Sequence, residues 1–199
     1  MIPIATRPEP VTFDGRVRRP GMAWLRKHRI PLDRRLASST LLKPYWRRSL
    51  GDLHERYEGV CALLCVYLER VTGAASVDHF IAKSRAAGLA YEWSNYRLAC
   101  STMNGRKRDL EGLLDPFEIR PRTFLLELVT GRIYPNPRCS KALRRAAQYT
   151  IDALRLDDAE CREIRARHFE EFCLGECSAE YLRRLSPFVH SEAQRQKLL

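Results

Sequence analysis

The run VDHFIAKSRAAGLAYEWSNYRLACSTMNGRKRD, from Val77 to Asp109, constrains this chain more than any other stretch. Thr72-Gly73 breaks what precedes it, and Ala75 to Phe80 then fits a short strand carrying Asp78 and His79. Lys83 to Trp93 reads as a loop or short helix, and Tyr96 to Cys100 returns as a second strand. Ser101 is a reasonable cap for a polar, basic helix reaching toward Asp109. The order is strand, long loop, strand, helix, in an α+β chain.

The same window concentrates metal ligands and phosphate binders. Hydrolysing a phosphodiester needs a base for water, a metal to neutralise charge, and cations to hold the backbone. His79 is the candidate base, since imidazole titrates near neutral pH. Asp78 offers a hard carboxylate oxygen and Asn104 an amide oxygen, both suited to Mg²⁺ or Mn²⁺. Lys107, flanked by Arg106 and Arg108, is placed to clamp phosphate from the helix bearing Asn104.

Asp-His at 78 and 79, Trp-Ser-Asn at 93 to 95 and Asn-x-x-Lys at 104 to 107 resemble, in order and spacing, the HNH or ββα-metal endonuclease motif. The resemblance implies a catalytic His79, metal held by Asp78 and Asn104, and an Asn95 that staples the loop so that the histidine is aimed. It also implies DNA as substrate and 5′-phosphate and 3′-hydroxyl ends as products. The wider phrasing, VDHF, then YEWSNYRLAC, then LDPFEI near Leu114 to Ile119, is similar to HNH proteins of bacterial anti-phage systems of the Septu and retron type. That narrower resemblance covers about Val60 to Asn136 and implies a partner ATPase and a defence role. Many HNH proteins add two CxxC pairs around a structural Zn²⁺. Here the counterparts are Cys61-x-x-x-Cys65 and Cys100 with Met103, leaving three good ligands at best, so zinc is not expected and the thiols should pack as small apolar groups.

Around this core, Met1 to about Pro44 is basic and proline-punctuated, and reads as an irregular arm (1–44). Tyr45 to Tyr57 has helical spacing with Gly59 as a stop, and Val60 to Leu68 leans toward an extended segment. Phe124 to Leu128 and Arg132 to Tyr134 flank Thr130-Gly131 as a β-hairpin packed on the nuclease core (45–136). Beyond Pro135-Asn136-Pro137 a helical extension (137–199) is expected: Lys141 to Arg155, a helix capped by Asp157 running to about Cys177, and Ser178 to Leu185. Cys173 and Cys177 read as core. Arg144, Arg145 and the run 165–168 read as a solvated helix face, with DNA contact as the alternative. Trp93, Tyr91 and Tyr96 read as core aromatics.

The net charge of +11 suits a polyanionic partner, because cations that neutralise phosphates release condensed counterions. No stretch approaches the roughly 20 apolar residues of a bilayer span, no secretory signal is visible, and seven cysteines suit reduced thiols, so a cytoplasmic location is expected. Two rival classes stay open on sequence: a DNA-binding module without catalysis, and a toxin-like nuclease acting on RNA.

Overall fold

In a computed structural model, which describes residues 1–37 and 40–199, helices and two small antiparallel sheets make a mixed α+β chain. Its contacts divide it into two compact units. One comprises Thr6–Gly59 and Glu69–Glu111, the other Met1–Ala5, Val60–Leu68 and Gly112–Leu199. The Pro135-Asn136-Pro137 break falls inside the second. Among the described residues no helix is long and apolar enough to cross a membrane.

The first unit opens with a finding against the expected irregular arm. A π-helical turn over Asp14–Arg18 runs directly into helix α1, Arg19–Lys27. Pro20 is the second residue of α1 and directly follows the π-helical turn, whose last bond runs from Arg19 N–H to Asp14 O, so the residue that cannot donate falls where the helix changes its bonding pattern. Phe13, Val17, Gly21 and Leu25, all buried, stand four residues apart and form a stripe concealed in the sequence by arginines. Gly21 is required there, since a Cβ would lie 2.2 Å from Cγ of Tyr91.

A 3₁₀ turn, Tyr45–Ser49, leads into α2, Leu50–Arg56, and Gly59 follows at φ 70°. Strand β1, Ala75–His79, pairs antiparallel with β2, Tyr96–Cys100, in a register that sets Asp78 opposite Arg97 and His79 opposite Tyr96. Helix α3, Ser101–Lys107, follows β2 without a break. Ser101 is its first helical residue; Cys100 holds the cap position and no side chain caps it.

In the second unit, Val60 to Leu68 is no strand. A single bridge joins Val60 to Tyr67, while Cys61 N–H donates to Val66 O and Cys65 N–H to Cys61 O, a tight turn with Cys65 at φ 60°. Strands β3, Phe124–Glu127, and β4, Arg132–Pro135, form the hairpin at its expected place, among the residues of this second unit. Helices α4, Lys141–Leu154, α5, Ala159–Cys173, α6, Ala179–Leu185, and α7, Pro187–Arg195, complete it. Asp157 does not cap α5: its carboxylate accepts from Ile133 N–H at 3.0 Å and from Arg162, tying the helix start to β4. Glu192 on α7 accepts from Leu126 N–H at 3.1 Å, tying α7 to β3.

Two further expectations fail here. Cys173 is exposed and Cys177 half-buried, so neither is core. Arg165 is 2% exposed instead of solvated, because its guanidinium donates to Gly131 O at 2.8 Å and Leu156 O at 2.6 Å, satisfying two buried carbonyls.

His168 on α5 is buried with no hydrogen-bond partner at Nδ1, and burial pushes its imidazole down to about 4 from 6.5. The unfolded chain takes up a proton there near pH 6.5, while the folded chain resists until about pH 4. Stability should therefore be flat above pH 6.5 and decline through that window by on the order of 2 kcal/mol. Urea melts of wild type and His168→Gln from pH 7.5 to 4 test this; equal slopes in both would remove His168 as the cause.

Candidate functional site

His79 is the last residue of β1, so pairing with β2 fixes its backbone, and its ring is set by contacts on several sides. Nε2 donates to Ala90 O at 3.0 Å, which leaves Nδ1 as the nitrogen able to accept a proton. The same carbonyl accepts from the Tyr96 hydroxyl at 2.7 Å. Trp46 and Tyr96 stand edge-on to the imidazole at 5.0 and 5.2 Å. Burial first, then the nearby ammonium groups of Lys83 and Lys107, pulls the imidazole down to about 3, so the ring is neutral in the free protein at physiological pH.

Asp78, one residue earlier, is 1% exposed, and its Oδ1 lies 3.1 Å from Lys107 Nζ. Asn104 on α3 donates through Nδ2 to Ser76 Oγ at 3.0 Å and to Val77 O at 3.4 Å. Its amide is thereby turned so that Oδ1 is the atom left for a cation. Asp78, His79 and Asn104 all line one pocket of about 560 Å³, together with Leu41, Lys83 and Arg108.

Asn95 lies at the foot of the loop between the strands and spans it with three hydrogen bonds. Its Oδ1 accepts from Ile81 N–H at 2.8 Å; its Nδ2 donates to Ile81 O at 2.9 Å and to Leu89 O at 3.0 Å. Asn95 does not line the pocket that holds the other three. It positions the loop, and through Leu89 the neighbouring carbonyl of Ala90 that aims His79. Asn95→Ala should therefore cost about 2 to 3 kcal/mol, as Ile81 N–H loses its acceptor. Asn95→Asp, which keeps the acceptor but turns a charged oxygen toward the carbonyls of Ile81 and Leu89, should cost at least as much. A urea midpoint unchanged in Asn95→Ala would refute the staple.

Lys107 is the main correction to the expected phosphate clamp. Its side chain is 0% exposed, with Nζ donating to His79 O at 2.6 Å beside Asp78, and 5.7 Å from the Phe80 ring centroid. A buried ammonium with these partners cannot reach a substrate phosphate. Arg106 is half-buried, whereas Arg108 is exposed at the pocket rim, with Nε donating to Gly105 O at 3.2 Å. Sequence reasoning missed Lys83, exposed in the loop, whose Nζ lies 5.5 Å from the Trp46 ring centroid. It also missed Trp46 and the residues around Leu41, whose distance along the chain gave no signal. Trp93, Tyr91 and Tyr96 are buried core.

Compared with known proteins, the chain matches no family model and no curated sequence.

Among the described residues no three His, Cys, Asp or Glu come together as a metal cluster. The pocket instead pairs one carboxylate, Asp78, with one amide, Asn104. Two hard oxygens on adjoining elements fit an ion that keeps most of its water, as Mg²⁺ does. Cys61 and Cys65 are buried in one unit, and Cys100 belongs to the other.

Proposed function

We propose that the His79 pocket hydrolyses phosphodiesters, as an HNH-type endonuclease acting on DNA. One observation carries the reading: His79, Asp78 and Asn104 converge on a single pocket from a strand, loop, strand and helix, with Nε2 of the imidazole committed to a main-chain carbonyl.

In this reading Nδ1 of His79 takes a proton from water, whose oxygen attacks phosphorus. The bond to the 3′ oxygen breaks, leaving 5′-phosphate and 3′-hydroxyl ends. Burial keeps the imidazole free of protons, and an anionic phosphate in the pocket would strengthen it as a base. Asp78 and Asn104 Oδ1 would hold Mg²⁺ or Mn²⁺, which when bound supplies charge neutralisation at the phosphate and leaving oxygen. Arg108 and Lys83, in place of Lys107, hold the substrate phosphate. The anti-phage role and the partner ATPase follow from the motif resemblance alone, and co-purification tests the partner.

Purified protein incubated with plasmid and with RNA, with Mg²⁺ or with EDTA, tests the reading. Metal-dependent cleavage of DNA is expected, RNA cleavage would move the substrate to the rival polymer, and cleavage of neither would refute the proposal. Both units pack ordinary side chains in their cores, so EDTA should stop cleavage while leaving the melting temperature unchanged.

A further inference from the structure

From Arg120 to Arg145 the chain carries seven basic residues and one acidic residue, Glu127. That carboxylate is turned back on its own hairpin, accepting from Val129 N–H at 3.0 Å and Thr130 N–H at 2.9 Å, opposite Arg132 in the strand register. The other six, Arg120, Arg122, Arg138, Lys141, Arg144 and Arg145, are all exposed, and among the described residues none of them makes an ion pair.

The fold gathers these cations instead of scattering them. Pairing of Phe124 with Pro135 brings the residues before β3 beside those after β4. Asn136 closes that junction, with N–H donating to Thr123 O at 3.0 Å and Nδ2 to Arg122 O at 2.8 Å. Asn136 Oδ1 then accepts from Arg138 N–H at 2.9 Å. Two residues on, Ser140 caps α4, accepting from Leu143 N–H. Lys141 and Arg145 follow at i and i+4, on the side of the helix opposite the buried Thr150 and Leu154, and Arg144 stands exposed in the same first turn. The nearest acidic neighbours in sequence are Glu118, exposed before Arg120, and Asp152, two turns further along α4, whose carboxylate accepts from Gln148 at 2.9 Å.

We propose that this face of the second unit is a second nucleic-acid-binding surface, gripping the phosphate backbone without reading sequence. Unpaired, exposed cations repel one another and weaken the folded state, so a face that keeps six of them is suited to a polyanion that neutralises them. The choice of nucleic acid over other polyanions rests on the phosphodiesterase reading of the His79 pocket; the clustering of cations does not.

The test uses full-length protein carrying His79→Ala, to keep the probe intact. Binding to a fluorescent 30-base-pair duplex is measured across a potassium chloride series. Lys141→Gln/Arg144→Gln/Arg145→Gln should weaken binding by about tenfold or more and flatten the plot of log affinity against log salt by up to about 0.9 for each phosphate no longer neutralised. The charge-reversed triple with glutamate should weaken it further, and circular dichroism melts check that both fold. Unchanged affinity and slope would overturn the proposal. So would salt-sensitive binding to phosphatidylglycerol vesicles with no binding to duplex or single strands. Hydrolysis of bis(p-nitrophenyl) phosphate by the His79-intact triple separates the two readings. It should match wild type if the face only holds the polymer, and its absence in wild type would count against the pocket alone.

Discussion

His79→Ala is expected to lower phosphodiester cleavage by about 10²- to 10⁴-fold, the usual contribution of a positioned general base. The imidazole is 6% exposed and bonded to Ala90 O, so the alanine variant will also lose some stability, and a loss of activity by itself would not separate chemistry from folding. His79→Gln makes the separation. Glutamine can still donate to the Ala90 carbonyl but cannot take a proton from water near neutral pH. Both variants should show that loss of activity, and the glutamine variant should melt closer to wild type. If either retains wild-type turnover under saturating Mg²⁺, His79 is not the base and the proposed reaction loses its centre.

Lys107→Met should destabilise the protein by about 3 to 5 kcal/mol, the usual cost of breaking a buried ion pair. The substitution removes the ammonium bonded to Asp78 and to His79 O, while methionine fills a similar volume. Most of the cost arises because the carboxylate stays buried without that cation. Adding Asp78→Asn should therefore restore a large part of the loss, giving a coupling energy that urea unfolding of the four proteins measures directly. A single-variant loss below about 1 kcal/mol, or no recovery in the double variant, would show that Lys107 does not hold the end of β1 to α3. The expected phosphate clamp would then regain its case.

Lys107 also shows what sequence spacing can and cannot carry. Its place three residues after Asn104 puts it on the helix, but spacing gives no sense of which side of that helix faces the strands. The bond from Lys107 to His79 O, like the ion pair with Asp78, depends on β1 lying beside α3, and it joins residues 28 apart in the chain. Asn95 is more legible, since a polar residue at the end of a long loop has few ways to satisfy its amide except on that loop. Strands β1 and β2 and the β3 to β4 hairpin can be read from their turns and apolar alternation. Helix α1 cannot, because its two buried positions, Gly21 and Leu25, among arginines and a proline give a weak period. Arg165 misleads for a related reason: an arginine on a helix is usually solvated, and nothing local announces that Gly131 and Leu156 need donors. The grouping of Val60–Leu68 with residues after Gly112 is a long-range association that no local signal encodes.

The carbonyl of Ala90 receives both the imidazole of His79 and the hydroxyl of Tyr96. Every residue type carries that carbonyl, but Ala90 is fully buried, so only a small side chain fits at its position. A small residue kept there in relatives of this chain would look like a packing constraint and nothing more. The atom that fixes the tautomer of His79 belongs to the main chain, where an alignment of side chains cannot register it.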